Sequence, residues 1–180
     1  CLKRFLTFRK NLNDLLARFN DLKKYISLTT NRKIIFHKKK VVHEKLNENK
    51  EINIQKAFNK IGQSNRIIFK IDIEGDEYAL IDDIINQADL IDMLIMEFHD
   101  IDKNEIRFTT SIKKLLNNFD IVHIHGNNHC SERLSGLPTV LELTFNSKRF
   151  RPKEIEYKNE FPLKDLDFPN NPYKKDLKFY

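Results

Sequence analysis

The stretch Ile67–Phe98 constrains the fold more than any other part of this sequence. It opens with a β-rich run, Ile67–Ile73 (IIFKIDI), which stops at Glu74-Gly75-Asp76. Apolar residues then fall at helical spacing: Tyr78, Leu80, Ile81, Ile84 and Ile85. A second β-rich run follows at Met93–Phe98 (MLIMEF). A hydrophobic period that switches from two to 3.6 and back marks a βαβ unit. Asp76 and Glu77 fall in the first turn of the expected helix, where a carboxylate favours the helix dipole. The pattern then repeats. A helix is expected at about 103–118, with Ile112, Leu115, Leu116 and Phe119 on one side. After it come Ile121–His125 (IVHIH), a loop over Gly126–Pro138, and a last run, Thr139–Phe145 (TVLELTF). Strands alternating with helices predict an α/β fold around a mostly parallel sheet. The last connection has no helical pattern, so the final strand is expected to be an antiparallel strand at the sheet edge.

Upstream of this region the chain changes character. Residues 1–66 carry 17 Lys/Arg and 5 Asp/Glu, whereas residues 67–180 carry 15 and 21. Phe5, Phe8, Leu12, Leu15, Phe19, Leu22 and Ile26 are spaced alternately three and four apart, which predicts one amphipathic helix over 2–28. That helix either packs on its own domain or self-associates as a short coiled coil. The implied organisation is a basic helix over 1–30 and an α/β domain over 31–180. Residues 34–36 and 41–43 read as a hairpin whose tip is Lys38–Lys40, and 51–61 as a short helix. The tail from Phe161 (FPLKDLDFPNNP) reads as extended chain and turns.

Composition limits the function classes. No apolar run reaches the roughly 18–20 residues of a membrane span, and no signal peptide is visible. Two cysteines, Cys1 and Cys130, form no CxxC pattern, so a reducing cytosol is the expected location. A sequence that opens on Cys rather than Met is expected to be a fragment or an excised domain. The basic half could meet nucleic acid, but it is also what a solvated helix face looks like. No recognition motif or aromatic stacking platform supports nucleic-acid binding.

The segment with most chemistry is Lys70–Glu77, K-I-D-I-E-G-D-E. Strand alternation puts Lys70, Asp72 and Glu74 on one side. Such charges are costly to bury unpaired, and the C-terminal end of a strand is where an open α/β sheet binds ligands. Gly75 lets the chain turn sharply there. A purely structural reading stays open, in which Lys70 pairs with Asp72. The second run ends Glu97-Phe98-His99-Asp100, and the third ends His123-Ile124-His125-Gly126. These are metal-ligand residue types, but the spacing is neither that of a zinc finger nor HExxH, so no metal is expected. Nothing near Cys130 would lower its pKa for nucleophilic work.

FKIDIEGDEYALI resembles the K-x-D-x-E-G-x-E segment of FkbM-type methyltransferases. LIMEFHDID resembles the next strand of that family, and IVHIHGNNH, PTVLELTF and FPLKDLDFPNNP its last two strands and closing tail, in the same order. The similarity covers about residues 50–180. It implies a partial Rossmann-like methyltransferase sheet in which Ile67–Ile73 is the fourth strand. It also implies S-adenosylmethionine as methyl donor, and a hydroxyl of a sugar or other small molecule as acceptor. Catalytic roles would fall to Asp72, Glu74, His99 and His125, and cofactor contacts to Asp72, Glu74 and Gly75. The chain departs from the family early: its first glycine is Gly62, so the Gly-rich turn that brings backbone close to the cofactor is missing from residues 1–61. No acidic residue that would grip the ribose hydroxyls can be identified either. A non-catalytic remnant acting as a binding or assembly module is therefore the competing expectation, and a basic nucleic-acid-binding domain the third.

Overall fold

The computed structural model describes residues 20, 22–24, 26, 27, 30, 35, 37–44, 47, 49–61, 66–129, 138–151 and 160–179. The chain divides into two units, Cys1–Lys39 and Lys40–Tyr180. In the first, Asn20, Leu22–Lys24, Ile26, Ser27 and Thr30 are helical, and Thr30 Oγ1 donates to the Ile26 carbonyl at 2.7 Å. The remainder of the expected helix over 2–28, its self-association, Ile34, Phe36 and both cysteines lie outside the described residues.

The second unit runs β1 (Lys40–Val41), β2 (Glu51–Ile52), α1 (Ile54–Ile61), β3 (Ile67–Ile71), α2 (Ile81–Ile85), β4 (Ile91–Phe98), α3 (Glu105–Leu115), β5 (Phe119–Gly126) and β6 (Leu141–Ser147). Short 3-10 turns lie at Glu77–Ala79, Ala88–Leu90 and Lys148–Phe150. The hairpin expected across Lys38–Lys40 is corrected. Lys40 sits in a strand, and β1 pairs in parallel with β2, Lys40 opposite Glu51. The single helix expected after Gly75 is split into a 3-10 turn and α2. The tighter turn is what carries both Glu77 and Tyr78 into the interior.

The main sheet has the order β3-β4-β6-β5. β3 and β4 are parallel, while β6 is antiparallel to both neighbours, β4 and β5. Three strands therefore run one way and β6 runs back. The expected antiparallel strand exists, but its expected place at the sheet edge is wrong: β6 is interior. Its sequence explains why. Leu141, Leu143 and Phe145 are all buried, and an edge position would leave part of that apolar surface in water. β5 ends and β6 begins at the same end of the sheet, so no crossover helix is needed.

Alternation sorts the two faces of the sheet. Leu94, Met96 and Phe98 of β4 are wholly buried with Leu141, Leu143 and Phe145 of β6. Ile54 and Phe58 of α1, Ile81 and Ile84 of α2, and Leu115 of α3 join the same cluster. Phe58 meets Phe69 edge-on at 5.2 Å, and Phe98 meets Phe108 at 5.3 Å. Each such buried side chain contributes about 1.5–3 kcal/mol of transfer free energy. The helices thus cover one face. The other face carries Lys70, Asp72, Glu97, Glu142 and Thr144, all exposed or half-exposed. Among the described residues no helix is long and apolar enough to cross a membrane.

Candidate functional site

Register collects the charged residues of that second face into one row. Glu97 of β4 stands directly opposite Glu142 of β6, and Glu142 opposite His125 of β5. On β3, Ile71 pairs with Met96, so Asp72, the next residue, comes level with Glu97. The row Asp72, Glu97, Glu142, His125 crosses all four strands at the end where β3, β4 and β5 finish. Two carboxylates facing each other across strands are destabilising on their own. Each has a compensating partner. Lys70 Nζ lies 3.5 Å from Glu142 Oε2, and Asn127 Nδ2 donates to Glu97 Oε1 at 3.0 Å. Lys70 therefore reaches across the sheet to Glu142 rather than pairing with Asp72 beside it.

The turn after β3 adds a second layer. Glu74 and Gly75 have φ of 57° and 111°, two consecutive left-handed residues that reverse the chain at once. A Cβ on Gly75 would meet no atom within 4 Å, so its φ, not crowding, is what requires glycine. The reversal buries Glu77 completely. Glu77 Oε1 accepts hydrogen bonds from Gly75 N at 3.1 Å and from His99 Nδ1. Glu77 Oε2 is buried with no hydrogen-bond partner. The Tyr78 hydroxyl donates to the His99 carbonyl at 2.7 Å. His99 is thus held at its ring and at its backbone by consecutive residues of the 3-10 turn. Burial opposes a charge on His99, but the Glu77 hydrogen bond and the charges of Glu77, Glu97 and Glu74 outweigh it and raise its pKa. Burial, reinforced by the Glu77 charge, pushes the Tyr78 hydroxyl well above the usual tyrosine range, so it stays a donor.

With Nδ1 engaged, Nε2 is the ring nitrogen that His99 offers outward, 3.6 Å from Glu74 Oε2. One ligand atom each from Asp72, Glu97 and His99 lie within 4.8 Å of one another. The structure therefore brings Asp72 and His99 together, with Glu74 exposed at the rim. His125 lies in the same row but further along. Its Nε2 donates to Asp176 Oδ2 at 3.2 Å. A cleft of about 260 Å³ opens on the Glu97 side of this group, lined by Glu97, His125, Asn127 and Glu142 and walled by Leu166 and Phe168 of the tail. A larger depression, about 610 Å³, follows the outer side of α3 from Asp102 to Lys113, away from the row that crosses the sheet.

The tail is fastened over this end of the sheet. Phe161 and Phe179 bridge as an antiparallel pair and close a loop. His123 Nε2 donates to Asp167 Oδ1 at 2.9 Å, and buried Asn128 accepts from Asn171 N at 2.6 Å. Gly126 is packed against the same tail: a Cβ there would come within 2.9 Å of Leu177 and Phe179.

Sequence reasoning missed Glu77, Asn127 and Asp176 as site residues, and noted Glu97 only as a metal-ligand residue type at a strand end. An acid in the first turn of a helix is ordinarily explained by the dipole, so nothing local signalled that Glu77 is buried. Glu97 shares its strand face with Ile95, and only the register shows that it stands beside Asp72. No family model, no curated protein and no solved structure matches the chain.

Proposed function

We propose that this chain provides the acceptor-handling side of an FkbM-type methyltransferase, which places a methyl group from S-adenosylmethionine on a hydroxyl of a sugar or similar small molecule. The observation that carries this reading is the sheet. Three strands run one way with one reversed strand between them, and carboxylates and imidazoles converge where the three strands end. Open α/β sheets take ligands at that end. The cleft chemistry agrees with a polyhydroxylated acceptor. Glu97 and Glu142 accept hydrogen bonds from hydroxyls, Asn127 can donate, and the exposed Phe168 ring offers an apolar face to the carbon side of a sugar ring. A nucleic-acid backbone would meet repulsion from the same carboxylates.

Among the described residues, none fits the cofactor itself. Of the two described glycines, Gly126 has its space filled by the tail and Gly75 alone faces open space. Residues 1–61 contain no glycine. Asp72 and Glu74 border the acceptor, orienting its hydroxyl or accepting its proton. The lack of a cradle among the described residues is also the observation that favours a second reading, a module that binds the hydroxylated ligand without transferring anything.

One experiment separates these. The whole natural polypeptide in which these residues occur is incubated with methyl-labelled S-adenosylmethionine and a panel of glycans, while ligand binding is followed by saturation-transfer NMR. Label on a sugar hydroxyl, reduced roughly 10²-fold by Asp72→Asn, is the expected result. Sugar binding without label supports the binding module. Neither binding nor label overturns both.

A further inference from the structure

We propose that Asp72, Glu97 and His99 form a binding site for one divalent cation of the Mn²⁺ class. This rests on the cluster itself and not on methyl transfer, so the two stand or fall separately.

The donor set is two carboxylate oxygens and one imidazole nitrogen, all within 4.8 Å of one another. An ion about 2.0–2.2 Å from each donor needs those donors about 3–4 Å apart, a small contraction from the observed spacing. Proximity of acids alone would not make a site. What does is the support behind the donors. Ligating histidines characteristically give their second ring nitrogen to a carboxylate, which fixes the tautomer and leaves the other nitrogen for the metal. His99 Nδ1 is bonded to Glu77, and that carboxylate is wholly buried with Oε2 unpartnered. A buried carboxylate half without partners is costly unless positive charge stands nearby. A cation on His99 Nε2 supplies that charge through the ring. Glu97 has the same kind of support: Asn127 holds Oε1, which leaves Oε2 for a ligand.

Local charge agrees. Asp72, Glu74, Glu77, Glu97 and Glu142 converge here, and the lysine among them, Lys70, is engaged with Glu142. Asp72 and Glu74 are exposed, so the remaining coordination positions open toward solvent and the cleft. That is the form of a site that presents an ion to a ligand rather than one that braces the fold. Mixed imidazole and carboxylate donors suit Mn²⁺ better than Ca²⁺ or Mg²⁺, which take oxygen alone more readily.

The test is a Mn²⁺ titration of the full chain followed by electron paramagnetic resonance, with no methyl donor present. The wild-type chain is expected to bind one ion. Asp72→Asn and Glu97→Gln should each weaken binding at least tenfold, and Asp89→Asn, elsewhere on the surface, should not. Glu77→Gln should weaken binding roughly 10–100-fold, as loss of a supporting carboxylate does. Asp72 is exposed, so its variant keeps the test valid even if Glu77→Gln fails to fold. No stoichiometric ion in the wild type, or equal binding by wild type and Asp72→Asn, overturns the proposal. In that case His99 and Glu77 are an imidazolium–carboxylate pair and nothing more.

Discussion

Glu77 shows what a single buried carboxylate does to its surroundings. Its Oε1 holds both the Gly75 amide and the His99 ring, so one side chain closes the turn after β3 and aims an imidazole from the loop after β4. Removing one partner of a buried charged pair leaves the other uncompensated, at a cost of about 3–5 kcal/mol. Glu77→Ala should therefore lower the unfolding free energy by that amount. Glu77→Gln keeps an acceptor oxygen and the shape, and should lose about 1.5–3 kcal/mol, the range for a hydrogen bond to a charged group. Urea unfolding of the full chain checks both. Equal losses would show that the charge of Glu77, rather than the space it fills, is what the turn needs, and a negligible loss for Glu77→Gln would show the reverse. At this scale the sequence was legible where a residue's own backbone demand shows. Gly75 announced a sharp turn, and it has φ of 111°. It was illegible where the partner is distant in sequence: Glu77 and His99 are brought together by the parallel pairing of β3 and β4, which no local pattern encodes.

At the scale of elements, alternation and spacing located β3 to β6 to within a few residues, because burial on one face writes itself into every second side chain. Strand order is another matter. Alternation says which side of β6 is apolar, not which strands flank it. An interior β6 makes a direct forecast for hydrogen exchange. Its amides point alternately to β4 and to β5, so every amide over 141–147 should be protected. β3 pairs with β4 alone among the described residues, so alternate amides over 67–71 should exchange quickly. Fast exchange at every second amide of 141–147 would put β6 at an edge after all. The far end of β5 carries a pH forecast. Asp120 accepts from Arg151 Nε at 2.8 Å, and that guanidinium holds its carboxyl below the ordinary range. A carboxylate depressed on folding stabilises above its unfolded pKa, about 3.9, and loses that contribution as pH falls through the lower folded value. Asp120 is solvent-accessible, so the contribution is screened and no more than about 1 kcal/mol. Asp120→Asn should thus be slightly less stable than wild type above about pH 5, with the difference shrinking as pH falls below about 3.9 in melts taken across that range. A constant difference at all pH values would assign the effect to packing.

The second unit is lopsided, and that bears on what it can bind. Helices α1, α2 and α3 bury one face of the main sheet, while the row Asp72, Glu97, Glu142, His125 faces the other way. The tail, held by His123, His125, Gly126 and Asn128, walls one side of that row. Everything that converges there is suited to hydroxyls or to a cation, and all of it belongs to the acceptor side of the proposed reaction. A dinucleotide-like cofactor needs something different: a strand-to-helix turn whose glycines let backbone amides approach it closely. Gly126 cannot serve, because Leu177 and Phe179 occupy the space beside it. Gly75 faces open space, yet its amide is already given to Glu77. The 180-residue chain should accordingly bind S-adenosylmethionine more weakly than low micromolar, less favourable than roughly −8 kcal/mol. Isothermal calorimetry measures this directly. Tight binding would place a cradle outside the described residues, among which Gly75 and Gly126 offer none. Weak binding together with a titratable sugar ligand would leave the row of carboxylates with a partner and the cofactor side without one. That asymmetry is what the arrangement of this sheet leads one to expect.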